Sequence, residues 1–330
     1  LTIQLLTPKS TYTIDYPIAI EFAETQNDIL WTAKEIKVEK DLQDLRTNFT
    51  PAEYHGVVST LKLFTLYELR VGDDYWNHFV AKVFQRPDIQ RMANCFAFVE
   101  INIHAPFYNK INEVLGLDTD EFYSAYLNDD VLRNRMSWIA KQTIDRGDHY
   151  HRLKSLAVFS MIEGAVLYSS FAFLKHFQCE GKNKLMNVNA GINFSVKDEN
   201  IHSEAGAWLF RTYLHELFRH REGDNFDYTM LTKEIVDTAR IIYEHECIII
   251  DKIFEYGDIK GITSHDLKTF VKSRINLCLQ QLAIEPIYEV IENRVAEWFY
   301  KNINTAKIHD FFVKQGNEYN RNWNEKGFVW

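Results

Sequence analysis

The sequence predicts an all-α protein, and three observations carry that expectation. Glycine (13) and proline (6) are sparse for 330 residues, which favours long regular elements over tight turns. Apolar residues recur at i, i+3 and i+4 through most of the chain, the period of a helix with one buried face. Hydrophobic residues make up 46% of the total, enough for a sizeable core in one large domain or two ordinary ones.

The first twenty residues are mixed and poorly periodic, and the chain opens at Leu1 rather than Met, which reads as a trimmed end. A helix over 51–71 opens with Thr50, Pro51 and Glu53: a cap hydroxyl, a first-turn proline and an acid near the positive end of the helix dipole. Periodicity predicts further helices over 87–116, 129–140, 150–177, 187–220, 229–256 and 264–284. The turn-formers "EGKNK" (180–184), "REGDN" (221–225) and "EYGDIKG" (255–261) separate several of them. The run "SLAVFSMIEGAVLYSSFAFL" (155–174) has the length of a membrane span. Its one charge, Glu163, would cost roughly 2.5–3.5 kcal/mol at mid-bilayer. A helix buried on all sides of a bundle is therefore the expectation. The stretch "VKQGNEYNRNWNEKGFVW" is polar and Asn-rich, then ends in Phe328, Val329 and Trp330. It reads as a flexible tail, 313–330, with an apolar tip, following a helical domain over 1–312.

The formal charge is −9 and no Lys/Arg run occurs, which argues against nucleic acid or an anionic membrane as partner. Cys95, Cys179, Cys247 and Cys278 lie far apart with no CxxC, and no secretory h-region is present. Reduced thiols in a cytoplasmic protein are the expectation.

Four of the expected helices place an acid on an apolar face. Leu61, Phe64, Glu68, Val71 and Tyr75 share one stripe. Glu100, His104 and Ile111 share another. Glu163 stands alone in its apolar run. Glu199 and His202 lie one turn apart, with Gly206 and Leu209 on the same face. For any one helix, an edge position or an arginine partner explains the acid about equally well. Four together are harder to explain, because a buried carboxylate needs a partner and no matching basic set lies on these faces. Two like charges about 4 Å apart repel by roughly 4 kcal/mol at an effective dielectric near 20. Two divalent cations would neutralise four carboxylates. Dimetal-carboxylate bundles draw one Glu from each of two helices and a Glu/His pair from each of two others, and Glu68, Glu163, Glu100/His104 and Glu199/His202 supply that set. Carboxylate and imidazole suit iron or manganese; without thiolates, a structural zinc site does not fit.

With these residues in place, the chain resembles the radical-generating small subunit of class I ribonucleotide reductase, from about Trp31 to Tyr319. "LKLFTLYELRVG", "EINIHAPFYNKINE", "MIEGAVLYSSFAF" and "VKDENIHSEAG" resemble the family's four ligand helices, in order. The resemblance implies a ferritin-like four-helix core with additional helices. It implies a pair of metal ions held by Glu68, Glu100, His104, Glu163, Glu199 and His202, with iron first and Mn/Mn or Mn/Fe also fitting. Tyr108, four residues after His104, falls where the family places its radical tyrosine. Trp31 and Asp198 resemble the family's relay to the ligating histidine, and Tyr319 its tail tyrosine. The implied reaction begins when the metal site takes up oxygen and oxidises Tyr108. The hole then passes by His104, Asp198, Trp31 and Tyr319 to a large catalytic subunit that reduces ribonucleotides. The small subunit would be a homodimer docking through its tail. On composition alone, Trp31 reads as core, Asp198 as a surface acid and Tyr319 as an incidental aromatic.

The chain departs from the family at three points. Glu68 replaces a common Asp. Ser195 stands where an apolar neighbour of the radical site is expected, beside Leu167 and Phe171. Glu100 and His104 are four residues apart instead of three. Offsets of three and four lie about 60° and 40° from the starting residue, on one face. Pro106 removes the N–H that would bond the Asn102 carbonyl, so a local distortion of this helix is expected. Three other functions share these ligands: a dimetal oxygenase or desaturase with a substrate channel, a ligand-binding oxidase without a docking tail, and a metal-storage or structural bundle.

Overall fold

A computed structural model of the chain describes residues 3–179, 181–219 and 226–303. Among them no strand forms, and an isolated β-bridge joins Ile259 to Ile262. The helices used below are α1 (Pro17–Asp28), α2 (Pro51–Leu69), α3 (Pro87–Val99), α4 (Ala105–Leu115), α5 (Asp130–Gln142), α6 (His149–Met161), α7 (Tyr168–Lys175), α8 (Met186–Arg219), α9 (Tyr228–Ile253), α10 (Ser264–Gln281) and α11 (Arg294–Ile303). The all-α expectation holds.

The start of α2 follows from its first residues. Thr50 Oγ1 accepts the Glu53 N–H at 3.2 Å, and Glu53 Oε2 accepts the Thr50 N–H at 3.0 Å, closing a capping box ahead of Pro51. The long α8 is capped from another part of the chain. Asp41 Oδ2 accepts the N–H groups of Asn187 and Val188 at 2.8 and 2.7 Å, satisfying donors its first turn leaves open. The apolar segment through α6 and α7 has the length and hydropathy of a membrane span, yet that stretch is entirely buried inside the protein. It is a core helix, as its central Glu163 requires.

Three of the four ligand-bearing helices are not regular. A π-helical stretch, Arg70–Val80, follows α2; another, Glu100–His104, joins α3 to α4; a third, Ile162–Val166, lies between α6 and α7. The expected distortion near Pro106 is the second of these. The Ala105 N–H bonds the Glu100 carbonyl, five residues back, so the chain holds one extra residue in that turn. The proline then falls in the first turn of α4, where its missing N–H costs little. The 51–71 helix thus runs on through Val83, longer than its periodicity predicts. Helix α1 lies partly in the stretch that shows no period, and α11 was not legible either.

The core pairs α2 and its π extension against α3 and α4, and α6 and α7 against α8. α9 and α10 cover one side, and α1 lies along α3. Gly72 permits one close approach. A Cβ there would stand 2.7 Å from Ile101 Cγ1 and 2.9 Å from Glu100 Cβ. The tail, 313–330, and Tyr319 within it lie outside the described residues, as does the boundary at 312.

Candidate metal centre

All six expected donors are buried and converge. They fall into two overlapping groups: Glu68, Glu100, His104 and Glu199, and Glu100, Glu163, Glu199 and His202. Within each group one donor atom per residue lies within 4.8 Å of the others. Glu100 and Glu199 belong to both, so each would serve either ion.

Each histidine turns Nδ1 into the cluster and anchors Nε2 outside it. His104 Nε2 lies 2.9 Å from Asp198 Oδ2, and His202 Nε2 lies 3.1 Å from Gln26 Oε1. An outer acceptor on Nε2–H fixes the tautomer that leaves Nδ1 free to coordinate. Around His104 Nδ1 stand Glu100 Oε2 at 3.0 Å, Glu199 Oε1 at 3.4 Å and Glu68 Oε2 at 3.7 Å. His202 Nδ1 approaches Glu100 Oε1 to 2.5 Å without hydrogen-bond geometry, with Glu163 Oε1 at 3.8 Å. The Trp76 indole donates to Glu163 Oε1 at 2.7 Å.

Glu68 Oε1, Glu100 Oε1, both Glu199 oxygens and His202 Nδ1 are buried with no hydrogen-bond partner. So many orphaned lone pairs in one place is what cations would relieve. Titration behaviour says the same. Burial, then the neighbouring Glu100, holds Glu68 well above the usual carboxyl range. Burial, then Glu199 and Glu100, does so for Glu163. Burial, then Glu100, pushes Glu199 up to about 8. At Glu100 burial also works to raise the value, but His104 and His202 outweigh it and hold it well below. His104 is raised well above its ordinary value against burial, chiefly by Glu100 and Asp198. Without metal the cluster must hold protons where cations fit. The residues present suit two metal ions.

Tyr108 is fully buried beside this cluster, its ring 4.6 Å from Phe64 and 5.1 Å from Phe107 between centroids. Its hydroxyl has no partner within hydrogen-bond geometry, and neither does that of Ser195. Burial, then the Glu68 charge, raises its pKa well above the ordinary value. Phe171 reaches Tyr108 through Phe64, at 5.7 Å from the latter. Trp31, 2% exposed, donates from Nε1 to Asp198 Oδ2 at 2.8 Å, the same oxygen that faces His104. Its ring lies 5.9 Å from His104 and stacks on Phe194 at 5.5 Å.

Gln26 and Trp76 carry no signal in the sequence. Gln26 donates to Asp198 Oδ1 at 2.7 Å and meets His202, so one amide ties the supports of both histidines together.

Fold and site together define a class: a helical bundle whose core carries a buried carboxylate–imidazole centre for two metal ions. Comparison with known proteins narrows it. The chain belongs to the family described as "Ribonucleotide reductase, small chain", which matches residues 9–294. It is 27% identical over 335 residues to a probable ribonucleoside-diphosphate reductase small subunit of Invertebrate iridescent virus 3, covering 96% of this chain and 86% of that protein. It is 24% identical over 233 residues to the ribonucleoside-diphosphate reductase subunit beta of Bacillus subtilis, covering 69% and 67%. Two solved structures share the fold. A chain from Bacillus halodurans described as a "putative class I ribonucleotide reductase" gives a TM-score of 0.76 at 21% identity, covering 87% of this chain and 99% of that one. The dimanganese(II)-NrdF of Streptococcus sanguinis gives 0.69 at 20%, covering 86% and 95%.

Proposed function

We propose that this chain is the radical-generating subunit of its reductase, with Glu68, Glu100, His104, Glu163, Glu199 and His202 as the ligands of two metal ions. One observation carries the assignment: two sets of four buried donors share Glu100 and Glu199, and their unpartnered atoms face one another. Iron is the first expectation, with Mn/Mn and Mn/Fe equally compatible with these donors.

When bound, the two ions would activate oxygen, the oxidant that takes one electron from a side chain. Tyr108 is the donor of that electron. Burial and the Glu68 charge keep its phenol protonated and neutral before oxidation. The dry wall of Phe64 and Phe107 excludes water from the product. Asp198 Oδ2 joins the Trp31 indole and the His104 imidazole through two hydrogen bonds, a continuous contact between the centre and the Trp31 side. Tyr319 continues the path to a large catalytic subunit, on which 313–330 docks. A homodimer in the cytoplasm is the working assembly, and the four cysteines, none of them in a disulfide, are compatible with that compartment. A dimetal oxygenase is the weaker reading, since it needs neither a buried phenol beside the cluster nor a docking tail.

The ligand set is tested by titrating metal-free protein with Fe(II) or Mn(II). Two ions per chain are expected, and a Glu163→Ala or Glu68→Ala protein should hold fewer. A wild-type stoichiometry of one or less sinks the assignment. Deleting residues 326–330 should leave metal loading intact and weaken binding of the large subunit, by about 10³-fold if the Phe328 and Trp330 anchors each contribute roughly 2 kcal/mol. Unchanged affinity in a subunit titration would refute the docking role.

A further inference from the structure

Arg274 lies outside the donor set, yet it holds the neighbours of two donors. It sits in α10 and is 2% exposed. Its Nε donates at 2.9 Å to the carbonyl of Gly164, the residue after Glu163 and part of the π turn Ile162–Val166. One terminal nitrogen donates at 2.9 Å to Oδ1 of Asn200, the residue after Glu199. The other donates at 2.9 Å to the hydroxyl of Tyr300 in α11. The guanidinium lies 3.7 Å from the centroid of the Tyr168 ring, whose hydroxyl donates to the same Asn200 oxygen at 2.7 Å. No carboxylate pairs with this arginine among the described residues.

A buried cation without a carboxylate is costly, and neutral oxygens and one π face must offset its lost hydration. Apolar residues would fill this space without that cost, so the hydrogen bonds need a reason. The turn they meet is tightly confined. A Cβ on Gly164 would overlap Cys278 Sγ of α10 and Ser203 Oγ of α8. The π turn is thus wedged between two helices, and the guanidinium pins one of its carbonyls.

We propose that Arg274 is a positioning residue for the metal centre: it fixes the π turn that presents Glu163 and, through Tyr300, couples that turn to α11. The proposal rests on the two-metal reading of the site. Groups that orient ligands without touching the metal typically change its affinity by about 10- to 100-fold when removed. The ion held by Glu163 and His202 should therefore depend on Arg274 more than the ion held by Glu68 and His104.

The test is a titration of metal-free protein with Mn(II), counting free ion by electron paramagnetic resonance. Arg274→Gln should weaken one of two ions by about tenfold or more and leave the other within about twofold. Tyr300→Phe, which removes a single oxygen, should give a smaller loss at the same ion. In a Glu163→Gln background, adding Arg274→Gln should change nothing further at the remaining ion. Leu267→Ala, a buried change in the same helix, should lower the melting temperature without altering the ratio of the two affinities. Equal weakening of both ions overturns the proposal, as does an unchanged ratio. If Arg274→Gln does not fold, Arg274→Lys and Tyr300→Phe decide, and an unchanged ratio in both overturns it. A wild-type protein that binds fewer than two ions removes the two-metal reading itself and the role of Arg274 with it.

Discussion

A single oxygen atom, Oδ2 of Asp198, serves two rings at once, the indole of Trp31 and the imidazole of His104. At the residue scale, acids betray themselves on apolar faces because a buried charge has few inexpensive explanations. That marked Glu68, Glu100, Glu163 and Glu199 as candidates, and His104 and His202 followed from their spacing to two of them. Gln26 and Trp76 escape because amides and indoles are at home in many places, so nothing marks them as support for histidine or carboxylate. Tyr108 becomes a candidate through its distance from His104 and the resemblance; its unpartnered hydroxyl becomes visible only in three dimensions. The prediction at this scale is that oxidised wild type gives a tyrosyl signal in electron paramagnetic resonance, and that Tyr108→Phe keeps two ions per chain and gives none. A signal that survives the substitution places the radical on another residue.

Elements were legible where the helical period is clean. The expected 87–116, 187–220 and 264–284 end within a few residues of the observed bounds. The π turns were not, because one extra residue per turn shifts the apolar stripe too little to show against ordinary irregularity. Only Pro106 signalled one of them. Helix α1 was missed because only three of its twelve residues are buried, and one of those is Gln26. Gly72 tests how tightly these irregular elements are set. A methyl group there must displace Ile101 or the Glu100 side chain. Gly72→Ala should lower stability by about 1–3 kcal/mol, the usual range for overpacking. It should also weaken metal binding, because Glu100 belongs to both donor groups. Normal stability with two tightly held ions would show that the approach is not tight.

At the scale of the whole molecule, a buried histidine outside the proposed ligand set gives stability a pH dependence. His176 is 2% exposed. Its Nδ1–H donates to the Phe173 carbonyl, and its Nε2 accepts from the Lys182 ammonium at 2.9 Å. Both nitrogens are committed to the neutral ring. Burial, then the Lys182 charge, pushes its pKa down to about 3. The unfolded chain takes up this proton near pH 6.5, while the folded chain does not until near pH 3. Unfolding therefore binds a proton in that window, and stability falls as the pH falls. The slope approaches about 1.4 kcal/mol per pH unit. Between pH 6.5 and 5, wild type should lose about 1.6 kcal/mol more than His176→Gln in matched urea titrations. Parallel loss in the two proteins would mean that the folded ring titrates normally.

The extra residue between Glu100 and His104 also bears on how such chains are found. A search string written as Glu-x-x-His finds Glu199 and His202 but passes over Glu100 and His104, because the count along the backbone differs there. The π turn absorbs that miscount, and His104 Nδ1 still comes within 3.0 Å of Glu100 Oε2. Spelling and placement thus come apart at this point. A description of the centre survives insertion when it is written as distances between donor atoms, and fails when it is written as a number of letters.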